Sequence, residues 1–472
     1  MVRLKEALDS GVDSGRERLH RLLSERKYIG ITGLSRSGKS TFITSLINQL
    51  HNHEQAKLGA FSPWIARRIV AVKLHPLEDR ALAGFPYRQA VQDLAAAPPR
   101  WPASTSDISG CLIELKLRKA SPWRWQSPTR SLFIEIRDYP GEWLLDLPLM
   151  AMSFADWCGQ CAHQFSQPLR AHLLGDLLPA LQQLDPLAPC DEPLIATLRE
   201  RYVAFLRRCK QAEHSLSLIQ PGRFLIPGGA ASQEALQFLP LLGCATLSPT
   251  QRETAAADSN YRVLERRYNA YLKTLVVPFY KKFLRPIDRQ IVLVDLINAL
   301  NGGPEYLDDM RQALSNISDS FSYGRHSPIA KLFSPKIEKV IFAATKVDQV
   351  VAKDHDNVRQ LLAAIVRKAL EDAAYQGAAP KPEAIAAIRS SHEIQRRGSP
   401  AITGTDLAGE RVGYVHPEIP DHVPTNAEWA PFREWKIPLL SPPEGVRCDR
   451  EQAIPHIRLD QVLQDIIGDL CQ

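Results

Sequence analysis

Apolar runs that alternate with helical stretches set out the predicted fold of this chain. Four short apolar runs are interpreted as strands, at residues 28–32, 290–295, 340–344 and 384–388. Helical patterns lie between or after them, at about 39–50, 304–318 and 353–376. Alternation of strand and helix is typical of a mostly parallel, doubly wound sheet. The sequence therefore predicts an α/β fold.

An antiparallel hairpin is predicted in the first third of the chain. Residues 108–117 and 131–138 each alternate apolar with polar side chains, as half-buried strands do. The tip between them, residues 119–130, carries Trp123 and Trp125 among basic side chains. Such a tip is usually solvated, although it could instead contact a partner, nucleic acid or lipid headgroups.

Helical periodicity dominates the middle of the chain, where leucines recur at Leu169, Leu173, Leu177, Leu181 and Leu184. Residues 51–104, rich in Pro, Ala and Arg, are interpreted as an insertion. The predicted division is an N-terminal amphipathic helix at 1–27, an α/β domain in two parts at 28–150 and 286–392, an all-helical inserted domain at 151–285, a small β-rich module at 393–450 and a closing helix at 451–472.

Charge and length limit the class of protein. The 472 residues include 58 Lys and Arg against 52 Asp and Glu, so the net charge is only +6. A mixed surface of this kind argues against a dedicated nucleic-acid binder. No apolar run approaches the ~20 residues that cross a bilayer, and the N-terminus is charged from Arg3 onward. Eight scattered cysteines form no disulfide framework, so we expect a cytoplasmic protein, with membrane contact not indicated.

A phosphate-binding loop is predicted between the first strand and the first helix. Residues 33–40 read Gly-Leu-Ser-Arg-Ser-Gly-Lys-Ser and match the pattern G-x-x-x-x-G-K-S/T in the strand–helix context that the pattern requires. We expect Lys39 to reach the β and γ phosphates and Ser40 to bind Mg²⁺. The predicted nucleotide-binding residues of this loop are Ser35, Arg36, Ser37, Gly38, Lys39, Ser40 and Thr41.

The second hairpin strand ends in a motif that senses the γ phosphate. Residues Asp138 to Gly141 read D-x-x-G, the switch-two pattern of GTPases. We expect Asp138 to hold magnesium through a water and the Gly141 N–H to contact the γ phosphate. A switch-one threonine should precede the hairpin, and Thr105, flanked by two serines, is the best candidate metal ligand.

A base-reading motif follows the strand at 340–344. Thr345, Lys346 and Asp348 fit N/T-K-x-D, in which the carboxylate accepts hydrogen bonds from two guanine donors that adenine lacks. The motif therefore selects GTP over ATP. Thr345 replaces the more common Asn and gives up its amide. After the next predicted strand, Arg389 and Ser390 occupy the place of a final base-contacting loop, although this match is loose.

With these three motifs the chain resembles the YcjX-like family of bacterial stress-associated P-loop GTPases over nearly its full length. The resemblance implies a P-loop NTPase G domain, a cytosolic location and stress association. The motifs predict Mg²⁺-dependent GTP binding and hydrolysis to GDP and phosphate. The alternative is a nucleotide-dependent binding switch with negligible hydrolysis, which docks a protein partner through the helical domain. A membrane remodeller resembling dynamin is a third reading.

Two residues bear on catalysis. Glu142 stands where Ras-like enzymes carry the Gln that orients the attacking water, and it could accept that water's proton. Arg36 lies inside the phosphate loop, in the place where guanylate-binding-protein GTPases, with a similar loop, keep an internal arginine finger. The predicted catalytic residues are thus Lys39, Arg36 and Glu142, the alternative for Arg36 being a side chain that points to solvent.

One further motif is set aside. Residues 157–161 read Trp-Cys-Gly-Gln-Cys and are similar to a thioredoxin dithiol. Thioredoxin chemistry places that motif between a strand and a helix, whereas helical sequence surrounds it here. A zinc site would need two further ligands, and His163 alone does not supply them.

Overall fold

The computed structural model describes residues 26–34, 36–77, 79, 82–104, 107–119, 127–211, 216–228, 234–322, 337–375, 377–396, 398–447 and 452–472. Most of the predicted N-terminal helix, together with Ser35, Thr105, Trp123 and Trp125, lies outside these residues. The helix predicted for 1–27 ends too late, because the first strand already begins at Arg26.

The main sheet has the strand order β2-β4-β5-β1-β6-β7-β8, with β3 paired to β4. The pairs β5–β1, β1–β6, β6–β7 and β7–β8 are parallel, whereas β2–β4 and β4–β5 are antiparallel. The strands are β1 (Arg26–Gly33), β2 (Ile69–His75), β3 (Ala83–Gly84), β4 (Ser109–Arg118), β5 (Thr129–Asp138), β6 (Arg289–Val294), β7 (Lys339–Ala344) and β8 (Ala379–Ala384). The predicted α/β fold class is confirmed.

A separate antiparallel sheet has the order β11-β10-β9. Its strands are β9 (Ser391–Arg396), β10 (Ser399–Thr405) and β11 (Arg411–Tyr414). It begins two residues before the predicted β-rich module, 393–450, and the described residues after Tyr414 contain a 3₁₀ segment at Asn426–Phe432. We call this small sheet, Ser391 to Tyr414, the base-side sheet.

Fourteen α-helices of at least four residues lie among the described residues outside the strands. They are α1 (Lys39–His51), α2 (Ser62–Ile65), α3 (Tyr87–Leu94), α4 (Phe154–Phe165), α5 (Pro168–Leu174), α6 (Leu177–Gln182), α7 (Glu192–Lys210), α8 (Pro249–Thr254), α9 (Asn260–Tyr271), α10 (Leu296–Gly302), α11 (Pro304–Ser322), α12 (His355–Ile365), α13 (Arg367–Tyr375) and α14 (Leu459–Ile467). Helix α9 continues through π-helical turns at Leu272–Val276 and Tyr280–Leu284. No described residue between Phe154 and Leu284 lies in a strand, as predicted for the helical insertion.

The sheet is buried on both faces, because side chains of a strand point alternately to opposite sides. Ile291 and Leu293 of β6 pack in one apolar cluster with helices α1 and α14. Val292 and Val294 pack in the other cluster, which continues without a break into the helical segment. The helical segment therefore shares a core with the sheet, and the division of the chain into domains stays a prediction.

Two strand predictions need correction. Residues 51–104 do not form a simple insertion, since they contain β2, an edge strand paired with β4. The last parallel strand is Ala379–Ala384 and ends where the predicted strand at 384–388 begins. This strand contains Pro380 and Pro382, and proline is rare inside a sheet. Proline is tolerated there because β8 is an edge strand, whose alternate N–H positions face away from β7.

The described helices include none that is long and apolar enough to cross a membrane.

Candidate functional site

The phosphate loop joins β1 to α1 at the carboxyl edge of the parallel strands. Gly38 caps α1 in a left-handed conformation, at φ +78°, and no side chain caps the first N–H groups of this 13-residue helix. Uncapped N–H groups and the helix dipole favour an anion. The loop is also folded on itself, because the Ser37 N–H donates to the Leu34 carbonyl at 3.1 Å. Ser37 and Ser40 are buried in this turn.

Lys39 joins the phosphate loop to the switch-two motif. Its ammonium is paired with the carboxylate of Asp138 and donates to the Tyr139 carbonyl at 2.9 Å. Asp138 has no exposed surface. Removing one partner of a buried ion pair leaves an unpaired charge and typically costs about 3 to 5 kcal/mol. The pair thus brings Lys39, predicted to contact phosphate, next to Asp138, predicted to hold the metal.

The oxygens near Asp138 fit a magnesium ion. The Ser109 hydroxyl donates to Asp138 Oδ2 at 3.3 Å, and Ser40 begins the helix beside the same loop. Within the described residues no group of three or more His, Cys, Asp or Glu side chains could hold a metal alone. Magnesium prefers hard oxygen ligands and often takes only one or two from protein, with phosphate and water completing the shell. Ser40 and Asp138 would hold it.

The switch-two turn lies directly against the phosphate loop. A Cβ atom on Gly141 would come within 2.0 Å of the Gly33 carbonyl oxygen, so only glycine fits. The next residue, Glu142, is buried and its carboxylate forms an ion pair with Lys210 at the end of α7. The pairing neutralises the charge that would be unfavourable near a γ phosphate. The catalytic role of Glu142 stays a prediction.

After the switch-two motif, the 3₁₀ segment Gly141–Ala151 is covered by the loop at 216–228. Asp146 accepts from the Gly222 N–H at 2.8 Å and from the Tyr271 hydroxyl at 2.5 Å. Burial raises the pKa of Asp146 to about 6, although these hydrogen bonds act in the opposite direction. The Trp143 indole N–H donates to the Ile226 carbonyl at 2.9 Å. Neither Asp146 nor Lys210 was predicted, because neither belongs to a motif.

Asp348 is fixed by the serines that follow β8. Its Oδ2 atom accepts four hydrogen bonds, from the N–H and hydroxyl groups of Ser390 and Ser391, at 2.9 to 3.1 Å. Oδ1 accepts none from the described residues. This arrangement leaves one carboxylate oxygen for a ligand with hydrogen-bond donors. The predicted loop at Arg389 and Ser390 is therefore adjacent to Asp348.

The other motif residues are held by neighbouring strand ends. The Thr345 N–H donates to the Val294 carbonyl at 2.9 Å, and Lys346, at φ +61°, extends to Asp295 with a distance of 2.5 Å. Arg389 lies half-buried, and its Nε donates to the Ser391 carbonyl at 3.2 Å. Asp295 was missed, although a polar residue at the carboxyl end of a parallel strand is a signal for a binding site.

Sequence comparison agrees with this geometry. The model of the YcjX-like family, DUF463, matches residues 28–471. The chain belongs to the YcjX-like family. A Ras-like GTPase YcjX of Escherichia coli (strain K12) is 36% identical over 480 residues, covering 99% of each chain. A Ras-like GTPase YcjX of Shewanella oneidensis (strain MR-1) is 32% identical over 468 residues, covering 96% of each chain. The resemblance to the YcjX-like family is thus confirmed.

Arg36 and the cysteine pair of the Trp-Cys-Gly-Gln-Cys motif differ in exposure: Arg36 is exposed to solvent, whereas the cysteines are buried. Arg36 is exposed, and among the described residues it has no hydrogen-bond or ion-pair partner. Cys158 and Cys161 lie buried inside α4, and burial raises the pKa of the Cys161 thiol to about 12. A thiol held protonated is a poor nucleophile. The helical setting of this pair agrees with setting aside redox chemistry.

Proposed function

We propose that the protein binds GTP with Mg²⁺ and hydrolyses it to GDP and phosphate. The observation that supports this most directly is the junction of Lys39 and Asp138, which links the phosphate loop to the predicted metal-holding carboxylate. Asp348, with its free carboxylate oxygen, supports guanine as the base. The relatives' name, Ras-like GTPase, points the same way.

In the proposed reaction a water attacks the γ phosphorus, the bond from that phosphorus to the β–γ bridging oxygen breaks so that GDP leaves, and Glu142 accepts the water's proton. Lys39 stabilises charge on the phosphates, and the Gly141 N–H binds a γ oxygen. Bound magnesium would neutralise charge between the β and γ phosphates. Arg36, exposed beside the loop, would stabilise the charge that develops in the transition state. The expected cytoplasmic location and stress association are part of this proposal.

A second candidate is a GTP-loaded switch with negligible hydrolysis. The pairing of Glu142 with Lys210 favours it, because a carboxylate engaged by an ammonium is a weaker base for the attacking water. In that case the helical segment would dock a protein partner in a nucleotide-dependent manner. Both candidates share nucleotide binding, and measured turnover distinguishes them.

The proposal is tested with the purified full chain. Calorimetric titration with GDP and ADP, with and without Mg²⁺, measures base choice, and single-turnover assays with GTP measure hydrolysis. Lys39→Ala should reduce GDP affinity strongly, since a cation beside the β phosphate is lost. Lys273→Ala, an exposed lysine of the helical segment, is the matched control. Equal affinity for GDP and ADP would rule out the base assignment, and GTP binding without turnover would select the switch.

A further inference from the structure

The base-side sheet has no role in the motifs, yet it begins at a residue that contacts the base-reading carboxylate. Ser391, the first residue of β9, donates to Asp348 through both its N–H and its hydroxyl group. The same hydroxyl also lies within hydrogen-bond distance of the Asp348 main-chain carbonyl, so its single proton is shared between the two acceptors. The first strand of the sheet is thus hydrogen-bonded directly to the base-reading loop.

The sheet and the residue His416, just after its last strand, also contact three of the four residues that follow Asp348. The Tyr414 hydroxyl donates to the Gln349 carbonyl at 2.8 Å. The His416 Nε2 atom accepts from the Val351 N–H at 2.8 Å. Glu393 accepts from the Ala352 N–H at 2.8 Å. These three contacts hold main-chain groups at the end of the 3₁₀ turn Val347–Gln349, at Val351 and at the start of the next 3₁₀ turn, Ala352–Asp354.

The contacts share one geometry within the sheet. Glu393 and Tyr414 are both cross-strand partners of Ile402, one on each side of the central strand. Directly opposed residues of antiparallel strands project to the same face. One row of the sheet therefore presents both side chains toward the loop. Burial, and secondarily the negative charge of Asp348, raise the pKa of Tyr414, in agreement with their proximity.

The loop needs such support because its main chain is strained. Lys346 has φ +61°, a conformation that a residue with a side chain adopts only when its surroundings impose it. Reading guanine requires a carboxylate oxygen held within hydrogen-bond distance of two donors. If the Asp348 carboxylate moves, the site distinguishes guanine from adenine less well. The phosphate loop still binds the phosphates of either nucleotide.

We propose that the base-side sheet positions Asp348 and so determines how strongly the site prefers guanine over adenine. Tyr414 and Glu393 act as positioning residues through the main chain at 349–352, and they do not contact the nucleotide. This inference rests on the proposed function and assigns a role to the predicted β-rich module.

The test measures the affinities of the full chain for GDP and ADP with Mg²⁺ present. The double variant Tyr414→Phe, Glu393→Ala removes both contacts and keeps the aromatic ring. We expect it to lower the preference for GDP over ADP about threefold to tenfold, the effect of one or two lost hydrogen bonds. The affinity for ADP, which is bound through its phosphates, should stay within about twofold. Glu393→Gln should keep the preference, because its amide oxygen still accepts.

Thr403→Val is the matched control, since Thr403 donates to the Val412 carbonyl inside the same sheet and not to the loop. It should leave both affinities unchanged. An unaltered preference in the double variant, or an equal loss for both nucleotides, overturns the proposal. If the double variant does not fold, Tyr414→Phe alone decides by the same ratio. A wild-type protein that binds GDP and ADP equally would instead refute the proposed function itself.

Discussion

Arg36 lies in the left-handed region of backbone conformations, at φ +62°, within the phosphate loop. For a residue with a side chain, this region is unfavourable by roughly 1 kcal/mol or more, so the turn between Leu34 and Ser37 must impose it. The exposed guanidinium makes no hydrogen bond or ion pair with the described residues, so no such bond has to break before it moves toward bound phosphate. These properties are the ones that an internal arginine finger requires.

Arg36→Ala should therefore lower turnover and leave GTP affinity nearly unchanged. A finger acts mainly in the transition state, and its full effect is about 10³ to 10⁵ in rate, so even a partial role gives a drop of about tenfold or more. Arg36→Lys keeps a charge at the same strained position and serves as the control. Single-turnover hydrolysis at saturating enzyme, measured beside GTP affinity, separates the cases. Equal rates for wild type and Arg36→Ala would place the side chain outside the reaction.

Asp348→Asn should change base preference in a defined direction. Four donors from Ser390 and Ser391 surround Oδ2, so the amide oxygen of an asparagine would take that place. Its NH₂ group would then face the base and donate to the 2-oxygen of xanthine. We expect weaker binding of GDP and stronger binding of xanthosine diphosphate, both measured by calorimetry. A variant that loses both ligands equally would contradict this orientation.

At the scale of elements, the hairpin β4–β5 and the strands β1, β6 and β7 could be predicted, because apolar periodicity and motif position agree there. The last parallel strand was predicted too far along the sequence. The prolines of β8 argue against a strand, and only its place at the sheet edge makes them compatible with one. Strand β2 was missed, because no recognisable turn in the sequence connects it to its partner β4. Long-range pairing of this kind leaves no local signal.

In the candidate nucleotide site too, local sequence patterns identify some residues and miss others. Residues with fixed spacing, such as Lys39 and Asp348, could be predicted from the sequence, because the chemistry requires that spacing. Lys210 meets Glu142, and Asp146 meets Gly222, only because the helical segment folds back onto the switch-two segment, about 70 residues away along the chain. No spacing rule connects them, so the structure was needed to find them.

The 3₁₀ segment Gly141–Ala151 carries a prediction about pH. Burial raises the pKa of Asp146 to about 6, above its ordinary value of 3.8. The folded state therefore binds this proton more tightly than the unfolded state, so the stabilisation is present below pH ~4 and is lost as the pH rises through ~6. Relative to Asp146→Asn, the free energy of unfolding of the wild type should fall by about 2 to 3 kcal/mol between pH 4 and 7.

Urea unfolding of both proteins across that pH range measures the difference. Asp156→Asn is a suitable control, because Asp156 is exposed and caps α4 with Ser153. The free energies of unfolding of Asp156→Asn and of wild type should differ by a nearly constant amount across this pH range, without the fall expected between pH 4 and 7 for wild type relative to Asp146→Asn. Parallel curves for wild type and Asp146→Asn would show that the buried carboxyl does not titrate in this range.

At the scale of the whole molecule, the helical segment and the switch-two segment form one packed unit. The loop at 216–228 is tied to switch two by Gln220, whose amide donates to the Leu145 carbonyl at 2.5 Å, and by Gly222, whose N–H donates to Asp146 at 2.8 Å. A Cβ atom on Gly222 would lie 2.1 Å from the Glu142 carbonyl oxygen. Any displacement of switch two must therefore displace this loop.

Hydrogen exchange should record that coupling. If Gly141 binds the γ phosphate, a GTP analogue and GDP should give different amide protection at 141–151 and, through the bonds to Gln220 and Gly222, also at 216–228. The base-side sheet, residues 391–414, serves as the internal control, because both nucleotides carry the same base. Lys210→Ala, which breaks the ion pair to Glu142, should reduce the difference at 216–228 while that at 141–151 persists. A nucleotide-dependent change confined to 141–151 in the wild type would show that the helical segment does not follow the switch.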